Sequence, residues 1–390
     1  MNSSQHDLSQ LLEIIIDHID IPKSYYEKAA ARHRSLGEWL HRSGSKVAAF
    51  DPDVRPQGSF RYGTVTRPIN PEEVYDLDNV CLLRALNKGD LTQEQLKELY
   101  GDEIKAYARE HSMLAPAEEH NRCWRLRYAD EVSFHLDTLP CVPELGEVIR
   151  YLLEQQVPSD LANRAIAITD RKHPQYRVVT LAWYTSNPRG FASWFEQRAA
   201  LGRRRALAEA RLRAAVEDVP PYEWKTTLQQ SIQLLKRHRD TMFRHKLDVA
   251  PISMIITNLA AHAYGGETDL AEALQNIVDG MPQHVRSTSP RVPNPAHPAE
   301  DYADKWSKDS RLEKNFWEWH AAVQADLARL STLLGRSTLS GQVKDLFLVD
   351  MTEEEVRKVG GEGTSRPSIS VKSSPVLTIP TASKPWGRNG

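Results

Sequence analysis

The sequence has little of what would fix a function class early. Among its 390 residues there are only three cysteines. Cys81, Cys123 and Cys141 are odd in number and lack CxxC spacing, so neither a disulfide framework nor a zinc site is expected, as in a reducing cytosol. Charge of one sign is also missing. A formal net charge of −2 gives no global pull toward nucleic acid or anionic membrane, so any polyanion site must be local. No apolar run approaches the ~20 residues needed to span a bilayer. The opening MNSSQHDLSQLLEIII has no basic stretch before its short apolar run, so the expectation is a cytoplasmic protein, neither secreted nor membrane-spanning. No internal repeat is present. Hydrophobic residues at 40% and charged residues at 26% are ordinary for a folded chain long enough for two or three folding units.

From Leu8 to His41 apolar residues recur at helical spacing, with Pro22 dividing a first helix from a second over about Lys23 to Arg42. Between Lys46 and Val142 the period shortens. VAAFDPDV, VYDLDNVCLL, NRCWRLRYA and VSFHLDTLP read as short strands around one helical pattern, about Thr92 to His111. IAITD and YRVVT add a further strand or two before a turn at SNPRG, Ser186 to Gly190. Helices dominate beyond it: Arg198 to Val216, whose arginines read as a solvated face, Trp224 to Arg244, and Asp309 to Leu334. Pro251 to Tyr264 is apolar nearly all round, the mark of a buried helix. Pro290 to Pro298 reads as a loop. From about Gly360 the chain is rich in Gly, Pro, Ser and Thr and is expected to be disordered.

Within VYDLDNV, Val74 to Val80, two aspartates sit one residue apart in an otherwise dry strand. Successive strand residues face opposite ways, so Asp76 and Asp78 share a face, with Cα atoms ~6.6–6.8 Å apart, while Leu77 points into the core. Two such anions suit a hard cation, magnesium above all, which takes one or two carboxylates together with phosphate oxygens. In VSFHLDTLP the apolar face is Val132, Phe134 and Leu136, and the polar face is Ser133, His135 and Asp137. If that strand lies beside the first, three carboxylates converge. His135 then reads as a hydrogen-bonding neighbour rather than a ligand. A PQGSFRYGT stretch precedes them, in which Gly58 permits close backbone approach to a phosphate and Ser59 offers a hydroxyl and an N–H. A DxD alone is also what a turn, a cap or a solvated face gives. Gly-Ser, then DxD on an apolar strand, then a second strand carrying Asp137, in matching strand phase, points to phosphoryl or nucleotidyl transfer.

QGSFRYGTVTRP, YDLDNV and HLDTLP together resemble the nucleotidyltransferase core of the DNA-polymerase-β-like superfamily. With WYTSNPRGFASWF, LQQSIQLLKRHRD, APISMIITNLAAHAY and VPNPAHPAEDYADKW in the family's order, residues from about 10 to 345 resemble the bacterial cGAS/DncV-like nucleotidyltransferases (CD-NTases), the signal-making enzymes of cyclic-oligonucleotide (CBASS) anti-phage defence. The resemblance implies an α+β fold: a mixed twisted sheet with helices, joined to a helical domain across a cleft. It divides the chain into N-terminal helices bracing the core (1–45), a catalytic core (46–190), a helical nucleotide-binding domain (191–345) and a mostly disordered tail (346–390).

The implied site follows residue by residue. Asp76, Asp78 and Asp137 match the metal-binding and catalytic triad; Gln57, Gly58 and Ser59 match the motif that holds the donor triphosphate. Tyr62 falls where the family places a base-stacking aromatic, and Lys236 and Ser253 where relatives contact the triphosphate tail. The implied reaction joins ribonucleoside triphosphates, ATP among them, into a cyclic di- or trinucleotide. Two Mg²⁺ ions, or Mn²⁺ in their place, would assist, and the downstream effector would see the product rather than the protein. No zinc ribbon is inserted, so no nucleic-acid activator is expected. Some relatives are joined through their C-terminal residue to other proteins by a ubiquitin-type conjugating enzyme, which makes Gly390 a candidate for conjugation. Two other readings share the same fold: a template-independent transferase acting on RNA or a small molecule, and an inactive nucleotide- or RNA-binding module.

Overall fold

Two helices lead the chain in this computed structural model, which describes residues 3–70, 73–129, 133–213 and 225–359. α1 (Ser3–Ile19) and α2 (Lys23–His41) are separated by Pro22, which lacks the N–H a continuing helix would need. Strand β1 (Pro52–Gln57), the short helix α3 (Gly58–Tyr62) and strand β2 (Tyr75–Leu83) follow. α4 (Gln93–Glu110) starts at a capping box: the Thr92 hydroxyl accepts from the Gln95 N–H and the Gln95 side chain accepts from the Thr92 N–H. Strands β3 (Glu118–Glu119), β4 (Trp124–Ala129) and β5 (Ser133–Pro143) complete the order β1-β2-β5-β4-β3. β2 and β5 are parallel; the other neighbours in this order are antiparallel. After α5 (Glu147–Glu154) and α6 (Ser159–Ala162), β6 (Ile166–Ile168) pairs with the end of β5, and β7 (Tyr184–Ser186) pairs with β6.

Three short segments depart from the sequence reading. Ala48–Phe50 is a turn of 3-10 helix, closed by Asp51 in the left-handed region (φ 51°), so the strand starts only at Pro52. YRVVT forms no strand; Val178 and Val179 are each 53% exposed and have no strand beside them. SNPRG starts a helix, α7 (Pro188–Arg213), rather than making a turn: Asn187 Oδ1 accepts from the Gly190 N–H, and Pro188 brings a φ already suited to a first helical turn.

The second half is mostly helical: α8 (Thr227–Met242), α9 (Ser253–Ala263) and α10 (Leu270–Gly280), then a small hairpin of β8 (Pro293–Asn294) and β9 (His297–Asp301) that begins in the stretch read as a loop and runs three residues past it. α11 (Ser310–Leu333), α12 (Leu339–Phe347) and α13 (Glu353–Val359) close the described chain. α10 went unrecognised in the sequence.

Strand alternation sends Leu77, Leu126 and Leu136 into a core with Leu36 and Leu40 of α2 and with Leu96, Tyr100 and Ile104 of α4. A second core joins α1 to the later helices through Leu11, Ile15, Phe191, Leu235, Leu259 and Trp319. Of the two N-terminal helices expected to brace the sheet, α1 therefore packs with the helical layer instead; its apolar stripe of Leu11, Leu12, Ile15, Ile16 and Ile19 is buried there. Val359 reaches the same core and His18 meets Glu355 at 2.9 Å, so ordered structure continues past residue 345. The segment from Gly360, with Gly390, lies outside the described residues.

Candidate active site

The parallel pairing of β2 with β5 sets Asp78 directly beside Asp137 and Asp76 beside His135. Leu77 and Leu136 form the row between them and face the core, so all three aspartates project from the opposite face. Crowding of like charge in a partly dry site has the expected electrical consequence. Burial, then Asp137, then Asp76 push the Asp78 carboxyl up to about 7. The Asp76 carboxyl is also raised, chiefly by burial, with Arg125 pulling the other way. His135 Nδ1 lies 3.7 Å from Asp76 Oδ1, and burial lowers its pKa.

Arg125, across the sheet on β4, grips Asp137 with two parallel hydrogen bonds: Nε donates to Oδ1 at 2.7 Å and Nη2 to Oδ2 at 2.8 Å. Among the described residues no three His, Cys, Asp or Glu side chains converge as a ready-made metal cage. The donor set nevertheless suits a divalent ion. Three hard carboxylates share one face, and burial first, then the neighbouring carboxylates, raise the proton affinity of Asp78, a cost that a cation would offset.

The Gly-Ser corner closes on these acids. Gln57 pairs in register with Asp78, and Gly58 follows with φ 67°. A Cβ at Gly58 would collide with Asp78 Oδ2, so glycine is required there by space as well as by backbone conformation. Ser59, Asp76, Lys236 and Ser253 line one cavity of about 260 Å³. Lys236 is 7% exposed; its Nζ donates to the Thr64 carbonyl at 2.8 Å, and the Thr64 N–H donates to the Ser59 carbonyl at 2.9 Å. Burial, then Arg239, lower its pKa to about 8, so it is mostly charged at neutral pH. Ser253 starts α9, and its hydroxyl accepts from Arg239 Nη2 at 3.0 Å, while Arg239 Nη1 donates to the Pro251 carbonyl at 2.6 Å. Four of the sequence-derived positions thus share one cavity. Asp78, Asp137, Gln57 and Gly58 are not among its lining residues: the strand register sets Asp137 beside Asp78, and Asp78 lines a second pocket with Tyr26, His33 and Phe60.

Tyr62 requires a correction. It is 6% exposed, with its ring centroid 5.3 Å from both Phe191 and Phe195, so neither ring face is open to a nucleobase. The short helix turns it inward because its neighbours there are aromatic core residues of α7. We expect Tyr62→Phe to leave the nucleotide KM within about twofold of the parent, while Tyr62→Ala costs about 3 kcal/mol of stability. Steady-state kinetics and denaturant melts check both.

Sequence reasoning missed several cavity-lining groups, among them Arg67, Glu73, Tyr75, Arg239, Asp240 and Arg244. A signal existed for Arg239, which follows Lys236 by three residues on α8 and so shares its face. Arg125 also had one, the alternation of WRLRYA, which puts Arg125 and Arg127 on the polar side.

A mixed sheet presenting paired acids beside a Gly-Ser corner, backed by helices that supply buried cations, is the arrangement the sequence reading expected of a nucleotidyltransferase core. Residues 52–140 match the family model described as "Cyclic GMP-AMP synthase DncV-like, nucleotidyltransferase domain". Residues 52–140 thus carry a DncV-like nucleotidyltransferase domain. It is 27% identical over 323 residues to a c-di-GMP synthase of Roseivirga ehrenbergii, covering 81% of this chain and 77% of that protein. Identity is also 27%, over 337 residues, with the cyclic dinucleotide synthase CdnG of Bradyrhizobium diazoefficiens, covering 82% and 74%. The solved structure of CdnG from Bradyrhizobium diazoefficiens in complex with GTP superposes with a TM-score of 0.61 at 23% identity, over 90% of this chain and 98% of that one, which shows a shared fold. No described helix is long and apolar enough to cross a membrane.

Proposed function

We propose that this protein joins ribonucleoside triphosphates into a cyclic dinucleotide second messenger for anti-phage signalling. The observation that carries the reading is the register of Asp78 beside Asp137, with Asp76 on the same face and opening to the cavity that Ser59, Lys236 and Ser253 line. In the reaction a ribose hydroxyl oxygen bonds to the α-phosphorus of a second nucleotide, the bond from that phosphorus to the bridging oxygen breaks, and pyrophosphate leaves. The hydroxyl proton passes to a carboxylate of the cluster.

Lys236 and Ser253 approach the cavity from the later helices and Ser59 from α3, just past the end of β1, a placement that suits gripping a triphosphate between them. Arg67, Arg239 and Arg244 add positive charge to the same walls, partly offset by Glu73 and by Asp240, which pairs with Arg239. Asp76, Asp78 and Asp137 would hold a divalent ion, magnesium in this reading, which would supply charge neutralisation for the phosphates and acidify the attacking hydroxyl.

The relatives' names favour guanine over the adenine expected from the sequence: one is a c-di-GMP synthase, and CdnG was solved with GTP. Incubation with the four ribonucleotides, singly and in pairs, followed by mass analysis of phosphatase-resistant products, tests this. GTP alone should give a cyclic product. Linear products only, or transfer to RNA, would replace cyclisation with template-independent transfer, and nucleotide binding without turnover would leave a binding module.

A further inference from the structure

In the row that crosses the sheet from β2 through β5 to β4, Asp78, Asp137 and Arg125 stand side by side on one face. The guanidinium occupies both oxygens of Asp137 and brings Nη2 to 4.0 Å from Asp76 Oδ1. It therefore bridges two members of the acidic cluster from the side. The next arginine along β4 does not share this task, because Arg127 is held by Glu118 at 2.9 Å. Arg125 and Asp137 are both largely covered, at 24% and 19% side-chain exposure, so their attraction is less screened than that of a surface pair.

We propose that Arg125 is the resident counter-cation of the carboxylate cluster: it neutralises Asp137 in the metal-free protein and so sets the divalent-ion concentration at which the site fills. The proposal rests on the assignment of the three aspartates as metal ligands. Its physics is competition for the same oxygens. A divalent ion drawing on Asp137 must share or displace two charge-assisted hydrogen bonds, and it does so beside a fixed positive charge that repels it. Arg125 is in this sense a positioning residue. It fixes the orientation of the Asp137 carboxylate and tunes the affinity of the cluster without contact with the nucleotide.

The test measures Mn²⁺ binding to the nucleotide-free protein by electron paramagnetic resonance and calorimetry, with circular dichroism to show that each variant is folded. Arg125→Gln removes the charge and should tighten Mn²⁺ binding at least tenfold, while lowering the melting temperature in EDTA and enlarging the rise that Mn²⁺ produces. Arg125→Lys keeps the charge and loses the fork, and should bind Mn²⁺ within about threefold of the parent. Equal or weaker binding by Arg125→Gln overturns the proposal, as does a tenfold gain in Arg125→Lys. Asp78→Asn separates the two layers of the argument. If it leaves Mn²⁺ binding to the parent unchanged, the metal-ligand assignment fails. If it abolishes binding while Arg125→Gln leaves the affinity unaltered, only the role given to Arg125 fails.

Discussion

Asp78→Asn should abolish nucleotide turnover, by at least ~10³-fold, and make the metal-free protein more stable rather than less. Both halves follow from one feature. Asp78 is held beside Asp137 and near Asp76 in a partly dry site, and its carboxyl titrates near 7 rather than in the ordinary carboxylate range. The folded state therefore binds more protons than the unfolded chain between about pH 4 and pH 7, and stability falls as pH rises through that window. Above pH 7 the cost of the ionised group is fully present, on the order of 1–3 kcal/mol once solvent screening is discounted. Asparagine has nothing to ionise, so in EDTA at pH 8 the variant should melt a few degrees higher, and the parent's loss of stability between pH 6 and pH 8 should shrink. Thermal melts in EDTA at the two pH values, together with a radiolabelled-nucleotide assay, read both effects. An active variant, or one destabilised at pH 8, would remove Asp78 from the role given to it.

Gly58→Ala should be the most damaging single-methyl addition in the core of the site, lowering turnover at least ~100-fold and costing about 1–3 kcal/mol. Two separate penalties meet there. The backbone sits at φ 67°, where alanine is strained, and the new methyl runs into Asp78 Oδ2. Gly146 isolates the first penalty, since it has φ 64° with nothing within 4 Å of its Cβ position. Gly146→Ala should lose stability through its backbone alone and keep full activity. Equal activity in the two variants would mean that the Gly-Ser corner does not position the carboxylate.

The elements with a strong local signal were legible in the sequence. The Asp76, Leu77, Asp78 alternation showed which side of β2 is acidic, the helical pattern from about Thr92 located α4, and the apolar run from Pro251 marked a buried α9. Misreadings arose where short segments take their conformation from distant partners. YRVVT has the composition of a strand but no edge to pair with, and SNPRG has the composition of a turn but a proline placed to open a helix. Tyr62 is the same lesson inside the site. A motif position gives the identity of an aromatic, while Phe191 and Phe195, some 130 residues on, decide that its ring is buried.

By itself the sequence determined the chemistry available: acids in strand phase, a glycine and serine ahead of them, and a lysine on a later helix, because periodicity and backbone sterics act over a few residues. Tertiary structure alone decided which groups meet. The pairing of β2 with β5 puts Asp137 against Asp78, and the approach of α8 buries Lys236 against Thr64. The antiparallel return of β4 gives Asp137 an arginine for a partner. These contacts join residues far apart in the chain, and their energies depend on burial and distance, which no local pattern encodes.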